Sequence, residues 1–272
     1  MLLAAVQGRA GDRMWCNRGA GLRLRRGGGN GAVMGERWKA VVFDVDGTLA
    51  DSERDGHRVA FNAAFAAHGL PYRWDVAEYG RLLAVTGGRR RLAAFLESQG
   101  YDAPAAACLA ALLHRDKTGR MRALAGGGEI CPRPGARELL AELAAAGITL
   151  AVATTGTRAW VEPLLSRLFG SDLFAVVVTG SEIPALKPDP AVYREVLGRL
   201  GLPAARALAI EDSRNGLRAA LGAGLECVVI TNEYTRDQDF SGAAAVYPEF
   251  ASCLADQDGP LAAGLRPAGP AS

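Results

Sequence analysis

Two carboxylates follow an apolar run in the segment FDVDGT. Asp44 and Asp46 lie one residue apart, directly after the run at 40–43, which is typical of a buried strand. Aspartate is a poor strand former and is rarely buried without a partner, so this pair requires a cation close by. Another acidic pair, Glu211 and Asp212, follows a second apolar run. Acids that meet at one place offer the oxygen ligands that Mg²⁺ prefers, and Mg²⁺ also binds the phosphate oxygens of substrates.

The elements that must position these acids alternate between strands and helices. Apolar runs without polar alternation predict five buried strands, at 40–43, 148–153, 174–178, 207–210 and 227–230. Helical patterns with Pro near the start and Gly at the end lie between them, as at 134–147 and 189–201. This order predicts an α/β fold, a Rossmann-like, doubly wound parallel sheet.

Polar residues follow each of these strands at its carboxyl end. In an open parallel sheet these ends lie along one edge, where ligands bind in a crevice. Besides the acids, the edge would carry hydroxyl, amide and glycine residues: Thr154, Thr155, Thr179, Gly180, Thr231 and Asn232. We therefore expect the functional site at this edge.

The segment 53–128 interrupts the alternation. It has no comparable apolar run and shows four helical patterns instead, at 53–68, 76–83, 89–98 and 103–124. We expect an all-helical cap domain at 53–128 that closes over the strand ends. The α/β core would then consist of residues 37–52 and 129–250.

The two ends of the chain differ from this body. Residues 1–36 contain six arginines against two acids, are rich in Gly and have no sustained apolar period. We expect a disordered extension there, or a stretch upstream of a true start at Met34. The rest of the chain has 25 basic and 27 acidic residues, which does not favour nucleic-acid binding. A loose tail is expected at 251–272.

Length and composition are those of an ordinary soluble protein. The chain has 272 residues, of which 49% are hydrophobic, and no apolar run of about 18 residues that could span a membrane. Its five cysteines are scattered and form no C-x-x-C pair, which favours reduced thiols in a cytoplasm over a zinc site. We expect a cytoplasmic monomer that binds a small molecule and neither nucleic acid nor membrane.

Four motifs, in this order, resemble those of the haloacid dehalogenase-like hydrolases, and within them the CbbY-type sugar-phosphate phosphatases. They are DVDGT at 44–48, AVATT at 151–155, Lys187 in LKPDP at 186–190, and IEDSRNG at 210–216. The resemblance covers about residues 38–250. It implies an aspartate nucleophile, a helical cap and Mg²⁺ as cofactor.

The resemblance also implies a role for each catalytic residue. Asp44 would attack phosphorus to form an aspartyl-phosphate. Asp46 would protonate the leaving alcohol and then deprotonate the attacking water. Thr154 and the neighbouring Thr155 would bind the phosphoryl oxygens, while Lys187 would neutralise both the nucleophile and the transferring group.

The implied metal ligands overlap with these residues. Mg²⁺ would bind the carboxylate of Asp44, the backbone carbonyl of Asp46 and the carboxylate of Asp212. Glu211 would act through a water molecule or in place of Asp212. Catalysis of phosphoryl transfer then consists mostly of positioning and electrostatic stabilisation.

Substrate selection is expected in the cap. The stretch LLAVTGGRRRL at 82–92 places three arginines directly after Thr86, Gly87 and Gly88 at a predicted helix start, and Arg89 and Arg90 are the candidate ligands. Backbone amides at a helix N-terminus beside arginine side chains form an anion site, which suits a second phosphate. CbbY-type proteins have a similar stretch, and also a segment like DSERDGH here. That segment makes Glu53 and His57 candidate ligands of sugar hydroxyls.

The resemblance implies xylulose 1,5-bisphosphate as substrate, an inhibitor of the carbon-fixing enzyme Rubisco. A sugar phosphomutase such as β-phosphoglucomutase shares every core motif and the helical cap, so the sequence leaves that alternative open. A 2-haloacid dehalogenase would not need Asp46. A receiver-like binding module would have no cap and would carry its phosphorylated aspartate on a middle strand.

Overall fold

A six-stranded sheet lies at the centre of the computed structural model, which describes residues 37–265, with side chains to residue 262. Its strands are β1 (Ala40–Phe43), β2 (Thr149–Ala153), β3 (Val176–Val178), β4 (Ala207–Glu211), β5 (Glu226–Ile230) and β6 (Ala245–Tyr247). Their spatial order is β3-β2-β1-β4-β5-β6, and all neighbours are parallel. The first strand, β1, lies in the middle, and the later strands extend the sheet outward in both directions, which confirms the predicted doubly wound sheet. The short, half-exposed edge strand β6 was not predicted.

Ten α-helices are present in the described part of the chain. They are α1 (Arg58–Ala67), α2 (Val76–Leu82), α3 (Gly88–Ser98), α4 (Ala103–Gly127), α5 (Ala136–Ala145), α6 (Arg158–Phe169), α7 (Ala191–Leu200), α8 (Arg214–Gly222), α9 (Phe250–Ala255) and α10 (Pro260–Leu265). Among residues 37–265, no helix combines the length and the hydrophobicity needed to cross a membrane.

Helices cover both faces of the sheet. In β1, Val41 and Phe43 pack in the cluster that contains residues of α5 and α6. Ala40 and Val42 belong to the cluster on the opposite face, with residues of α7 and α8. All four strand residues are fully buried. Burial on both faces explains why the strand reads as a continuous apolar run.

The helices at 58–127 pack around a hydrophobic cluster of their own. Its centre is aromatic, with the ring of Trp74 4.9 Å from those of Phe61 and Phe65. Asp75 and Asp102 begin α2 and α4 by accepting hydrogen bonds from backbone amides three residues on, as N-cap residues do. We call residues 53–127 the cap. It lies between β1 and α5 in the chain.

The first turn of the cap differs from the helix predicted at 53–68. Glu53–His57 winds as a π-helical turn and continues directly into α1. Such turns occur mostly as single inserts within α-helices and are frequent at functional sites. The last predicted cap helix is also longer than expected, since α4 ends at Gly127 and Gly128 follows with φ of +101°.

The expectation of a loose tail at 251–272 is wrong for residues 251–265, while residues 266–272 lie outside the described residues. Residues 250–265 contain α9 and α10, and Cys253 and Leu261 are buried in the same cluster as β1. The indole nitrogen of Trp38 donates to the carbonyl of Pro260 at 3.0 Å. These helices have only six residues each and so lack the repeated apolar period that reveals a helix in sequence. The expectation for residues 1–36 lies outside the described residues.

Candidate active site

The site begins where the chain leaves β1. The amide of Asp44 donates to the carbonyl of Ile210 at 3.0 Å, so Asp44 still extends the ladder between β1 and β4. The chain then turns at Gly47, whose φ of +80° is accessible mainly to glycine. Asp44 is therefore held rigidly, with only 6% of its surface exposed.

Lys187 is the cation that the buried aspartate requires. Its Nζ lies 2.6 Å from Asp44 Oδ1 and 2.6 Å from Glu211 Oε1, and donates to the carbonyl of Ala153 at 2.8 Å. Burial lowers the pKa of this lysine, but the two carboxylates raise it above its ordinary value. Burial also raises the pKa of Asp44 well above its usual range, against the effect of Lys187. One ammonium group thus serves two buried carboxylates.

Glu211 lies behind Lys187 and does not line the cavity described below. Besides Lys187, its Oε1 accepts a hydrogen bond from the hydroxyl of Tyr193 at 2.5 Å. A Cβ atom at Gly216 would lie 1.9 Å from Oε2, so the carboxylate is enclosed on that side as well. The structure therefore supports Glu211 as a residue that positions Lys187, and leaves its expected contact with a metal a prediction.

Asp212 completes a group of three acids. Carboxylate oxygens of Asp44, Glu211 and Asp212 lie within 4.8 Å of one another. Asp212 accepts a hydrogen bond from Asn232 Nδ2 at 2.7 Å. Burial, followed by the charge of Glu211, raises the pKa of Asp212 to about 7. The cluster therefore favours binding of a further cation.

Asp46 is held from the cap side. Its Oδ1 accepts from the Ser52 hydroxyl at 2.5 Å and lies 3.0 Å from His57 Nε2. The Nζ of Lys117 lies 2.6 Å from His57 Nδ1, and burial lowers the pKa of this lysine to about 8. When charged, Lys117 can only donate, which leaves the His57 proton on Nε2, facing Asp46. Burial raises the pKa of Asp46, but His57 and Ser52 bring it below its ordinary value.

A cavity of about 380 Å³ separates the strand ends from the cap. Its core wall includes Asp44, Asp46, Thr155, Lys187 and Asp212, and its cap wall includes Glu53, Thr86, Gly87 and Arg91. Of these nine lining residues, the sequence predicted all except Arg91 as site residues. His57 is buried behind Asp46 and does not line this space.

Arg91 is the third arginine of the stretch at 82–92, which the sequence did not distinguish as a candidate ligand. It is 7% exposed and donates to the hydroxyl of Tyr79 at 3.0 Å and to the carbonyl of Leu82 at 3.1 Å. The Tyr79 hydroxyl in turn donates to Glu53 Oε2 at 2.5 Å. The helical period could have predicted its burial, because Arg91 precedes the buried Phe95 by four residues and so lies on the same face of α3.

The two arginines that the sequence predicted as ligands of a second phosphate do not reach the cavity. Arg89 and Arg90 are exposed and do not line the cavity, while Gly88 begins α3. Thr86 does lie at the cavity, where its hydroxyl oxygen accepts from Asn215 Nδ2 at 2.9 Å. This hydrogen bond joins the cap to α8 of the core.

Thr154 and Thr155 lie at the end of β2. Thr154 is fully buried, and its hydroxyl oxygen accepts from the amide of Gly156 at 3.0 Å. Thr155 lines the cavity. Thr155 therefore faces the cavity, whereas the hydroxyl of Thr154 stabilises the turn.

Residues 38–224 match the family model for haloacid dehalogenase-like hydrolases. The chain belongs to this family. Protein CbbY of Cereibacter sphaeroides is 48% identical to it over 216 residues, which are 78% of this chain and 93% of that protein.

Solved structures extend this similarity to the whole fold. The crystal structure of CbbY from Rhodobacter sphaeroides in complex with phosphate has a TM-score of 0.73 at 45% identity, and covers 84% of this chain and 99% of that one. A mutant of the same protein, crystallised with xylulose-(1,5)bisphosphate, matches at 46% identity with the same TM-score and coverage. This haloacid dehalogenase-like hydrolase is thus a phosphatase of the CbbY type.

Proposed function

We propose that the protein is a Mg²⁺-dependent phosphatase that removes one phosphate from a sugar bisphosphate, most specifically xylulose 1,5-bisphosphate. The observation that carries this proposal is the position of Arg91. A buried guanidinium group in the cap faces the same cavity as the Asp44 nucleophile and Lys187 in the core. Two cationic groups on opposite walls suit a substrate that carries two phosphates. The CbbY structure with xylulose-(1,5)bisphosphate supports the choice of sugar.

The acidic cluster fits the proposed metal. Oxygens of three buried carboxylates, those of Asp44, Glu211 and Asp212, lie within 4.8 Å of one another, and Lys187 bonds directly to only the first two. The donors are all oxygen atoms, the ligand type that Mg²⁺ prefers. Asp44 and Asp212, with the backbone carbonyl of Asp46, would hold the ion. When bound, Mg²⁺ would neutralise charge on the phosphoryl oxygens.

The side chains of this chain account for the remaining steps. Asp44 attacks phosphorus and the bond to the leaving alcohol oxygen breaks, which produces an aspartyl-phosphate. Asp46, held by Ser52 and His57, donates a proton to that oxygen. It later removes a proton from the water that attacks the aspartyl-phosphate, and the bond between phosphorus and Asp44 breaks to release inorganic phosphate and the free carboxylate. The lowered pKa of Asp46 keeps it ionised and so able to accept that proton, whereas the charge of a bound phosphate raises this pKa and favours the protonated form that the first step requires.

A substrate panel tests the proposal. Purified protein with Mg²⁺ is incubated with xylulose 1,5-bisphosphate, ribulose 1,5-bisphosphate or β-glucose 1-phosphate, and released phosphate is measured. We expect the fastest release from the first compound. Chelation of the metal should abolish release, as should the substitution Asp44→Asn, because an amide cannot form the acyl phosphate.

The same panel separates a phosphatase from a mutase. A putative β-phosphoglucomutase from Thermotoga maritima shares the fold at 27% identity and a TM-score of 0.61. Conversion of β-glucose 1-phosphate to an isomer without release of phosphate would contradict the phosphatase proposal. Equal release from all three compounds would contradict the proposed substrate.

A further inference from the structure

Arg133 is a buried cation outside the catalytic cavity. It follows the cap in the chain, directly before Pro134, and is 8% exposed. Its guanidinium group donates to three backbone carbonyls, those of Gly47 at 2.7 Å, Ile230 at 3.0 Å and Thr231 at 2.6 Å. These hydrogen bonds join the turn after β1 to the end of β5. They therefore connect two segments that border the acidic cluster.

The Gly47 carbonyl is bonded from two directions. Asn232 Nδ2 donates to it at 3.1 Å and also donates to Asp212 Oδ2 at 2.7 Å. A Cβ atom on Gly47 would lie only 2.5 Å from that same Asp212 oxygen. The turn after Asp46 thus packs directly against the Asp212 carboxylate. A small rotation of the peptide at Gly47 would change the spacing between Asp46 and Asp212.

We propose that Arg133 is a positioning residue for the metal site, acting through the backbone of Gly47 and through Asn232. The N–H donors of its guanidinium group hold the turn that follows Asp46 close to Asn232. Asn232 in turn donates a hydrogen bond to Asp212. The proposal rests on the proposed metal dependence, and it concerns a residue that does not touch the cavity. Groups that orient metal ligands from outside commonly contribute 10- to 100-fold to metal affinity.

Arg167 provides a matched control. It is also an arginine that donates to two backbone carbonyls, those of Ala125 at 2.7 Å and Ile130 at 2.5 Å. Those carbonyls lie in the last turns of α4 and in the segment between α4 and α5, and not at the acidic cluster of the strand ends. A lysine at either position keeps the charge but loses the planar fork. Both substitutions should cost stability, whereas Arg133→Lys alone should weaken metal binding.

The experiment measures binding of Mn²⁺ as the probe by electron paramagnetic resonance, with Mg²⁺ as competitor, in the full chain. Wild type, Arg133→Lys, Arg133→Gln and Arg167→Lys are compared, and thermal unfolding without metal reports the stability of each. We expect the Mn²⁺ dissociation constant to rise about 10-fold or more in both Arg133 variants and to stay within about 2-fold in Arg167→Lys.

The outcomes distinguish the two proposals. If wild type binds Mn²⁺ and folded Arg133→Lys binds it equally tightly, Arg133 does not position the site, although the metal dependence stands. An equal loss of affinity in Arg167→Lys would show general destabilisation and would also overturn the inference. If wild type bound no Mn²⁺, both the proposed metal dependence and the inference from it would be wrong.

Discussion

The two walls of the cavity position their functional groups in different ways. On the core wall, Asp44 and Asp212 follow directly from strands, so the ladder between β1 and β4 sets their positions. On the cap wall, Arg91 and Glu53 reach the cavity through side chains that are bonded to Tyr79. The core wall is thus fixed mainly by its backbone, and the cap wall mainly by contacts between side chains.

This difference separates phosphoryl transfer from substrate selection. Backbone-fixed groups tolerate little displacement, which suits a reaction that depends on aligned charges. A functional group at the end of a long side chain can be replaced by a single substitution without a change in the fold. Changes in the core wall should therefore reduce the rate for every substrate. Changes in the cap wall should alter preference among substrates.

The largest effect is expected from Lys187→Met in the core wall. The change removes the ammonium shared by Asp44 and Glu211, and we expect kcat to fall by about 10³ for every substrate that is hydrolysed. Loss of one member of a buried ion pair should also destabilise the fold by about 3–5 kcal/mol. Steady-state kinetics and urea unfolding measure the two effects. A variant that retains kcat within 10-fold would show that this lysine is structural.

An intermediate and selective effect is expected from Arg91→Met in the cap wall. Without the buried guanidinium group, KM for a bisphosphate should rise about 100-fold, while hydrolysis of a monophosphate should change little. Arg90→Met is the matched control, because that arginine is on the same helix but exposed. Equal losses in both variants, or equal losses for both classes of substrate, would remove the distinction between the walls.

The smallest effect concerns the acid stability of the cap. Burial, together with the charge of Lys117, lowers the pKa of His114 to about 4. Between pH 6.5 and 4 the unfolded chain therefore binds a proton that the folded chain excludes, so the free energy of unfolding decreases as pH falls. Urea unfolding at pH 7.5 and pH 5 should show a smaller decrease for His114→Gln than for wild type. The same decrease in both would indicate that this histidine is not responsible.

The core wall could be predicted from the sequence because its residues adjoin strands. Asp44 and Asp212 need no side-chain geometry to be placed at one edge once the parallel order is known. Even there, the sequence predicted the same role for Thr154 and Thr155, whereas the hydroxyl of Thr154 bonds within its own turn and Thr155 lines the cavity. Adjacency along a strand end therefore predicts the place of a residue but not the direction of its side chain.

The cap wall was predicted less well because helical phase decides which residue points inward. A difference of one position separates the exposed Arg90 from the buried Arg91. Lys117 gives a similar lesson, since it lies four residues after Leu113 and four before Met121 in the buried row of α4. A charged residue among apolar ones on the buried face of a helix predicts a buried polar partner, which for Lys117 is His57.

The π-helical turn at Glu53–His57 has a consequence for comparisons among related chains. A π-helical turn closes its hydrogen bonds over one residue more than an α-helical turn, so it stores a single extra residue within a helix. A chain could lose one residue between Glu53 and His57 and still join Ser52 to α1. A single-residue gap at this point in an alignment would then reflect a change in local helical winding and not a shift of Ser52 or α1.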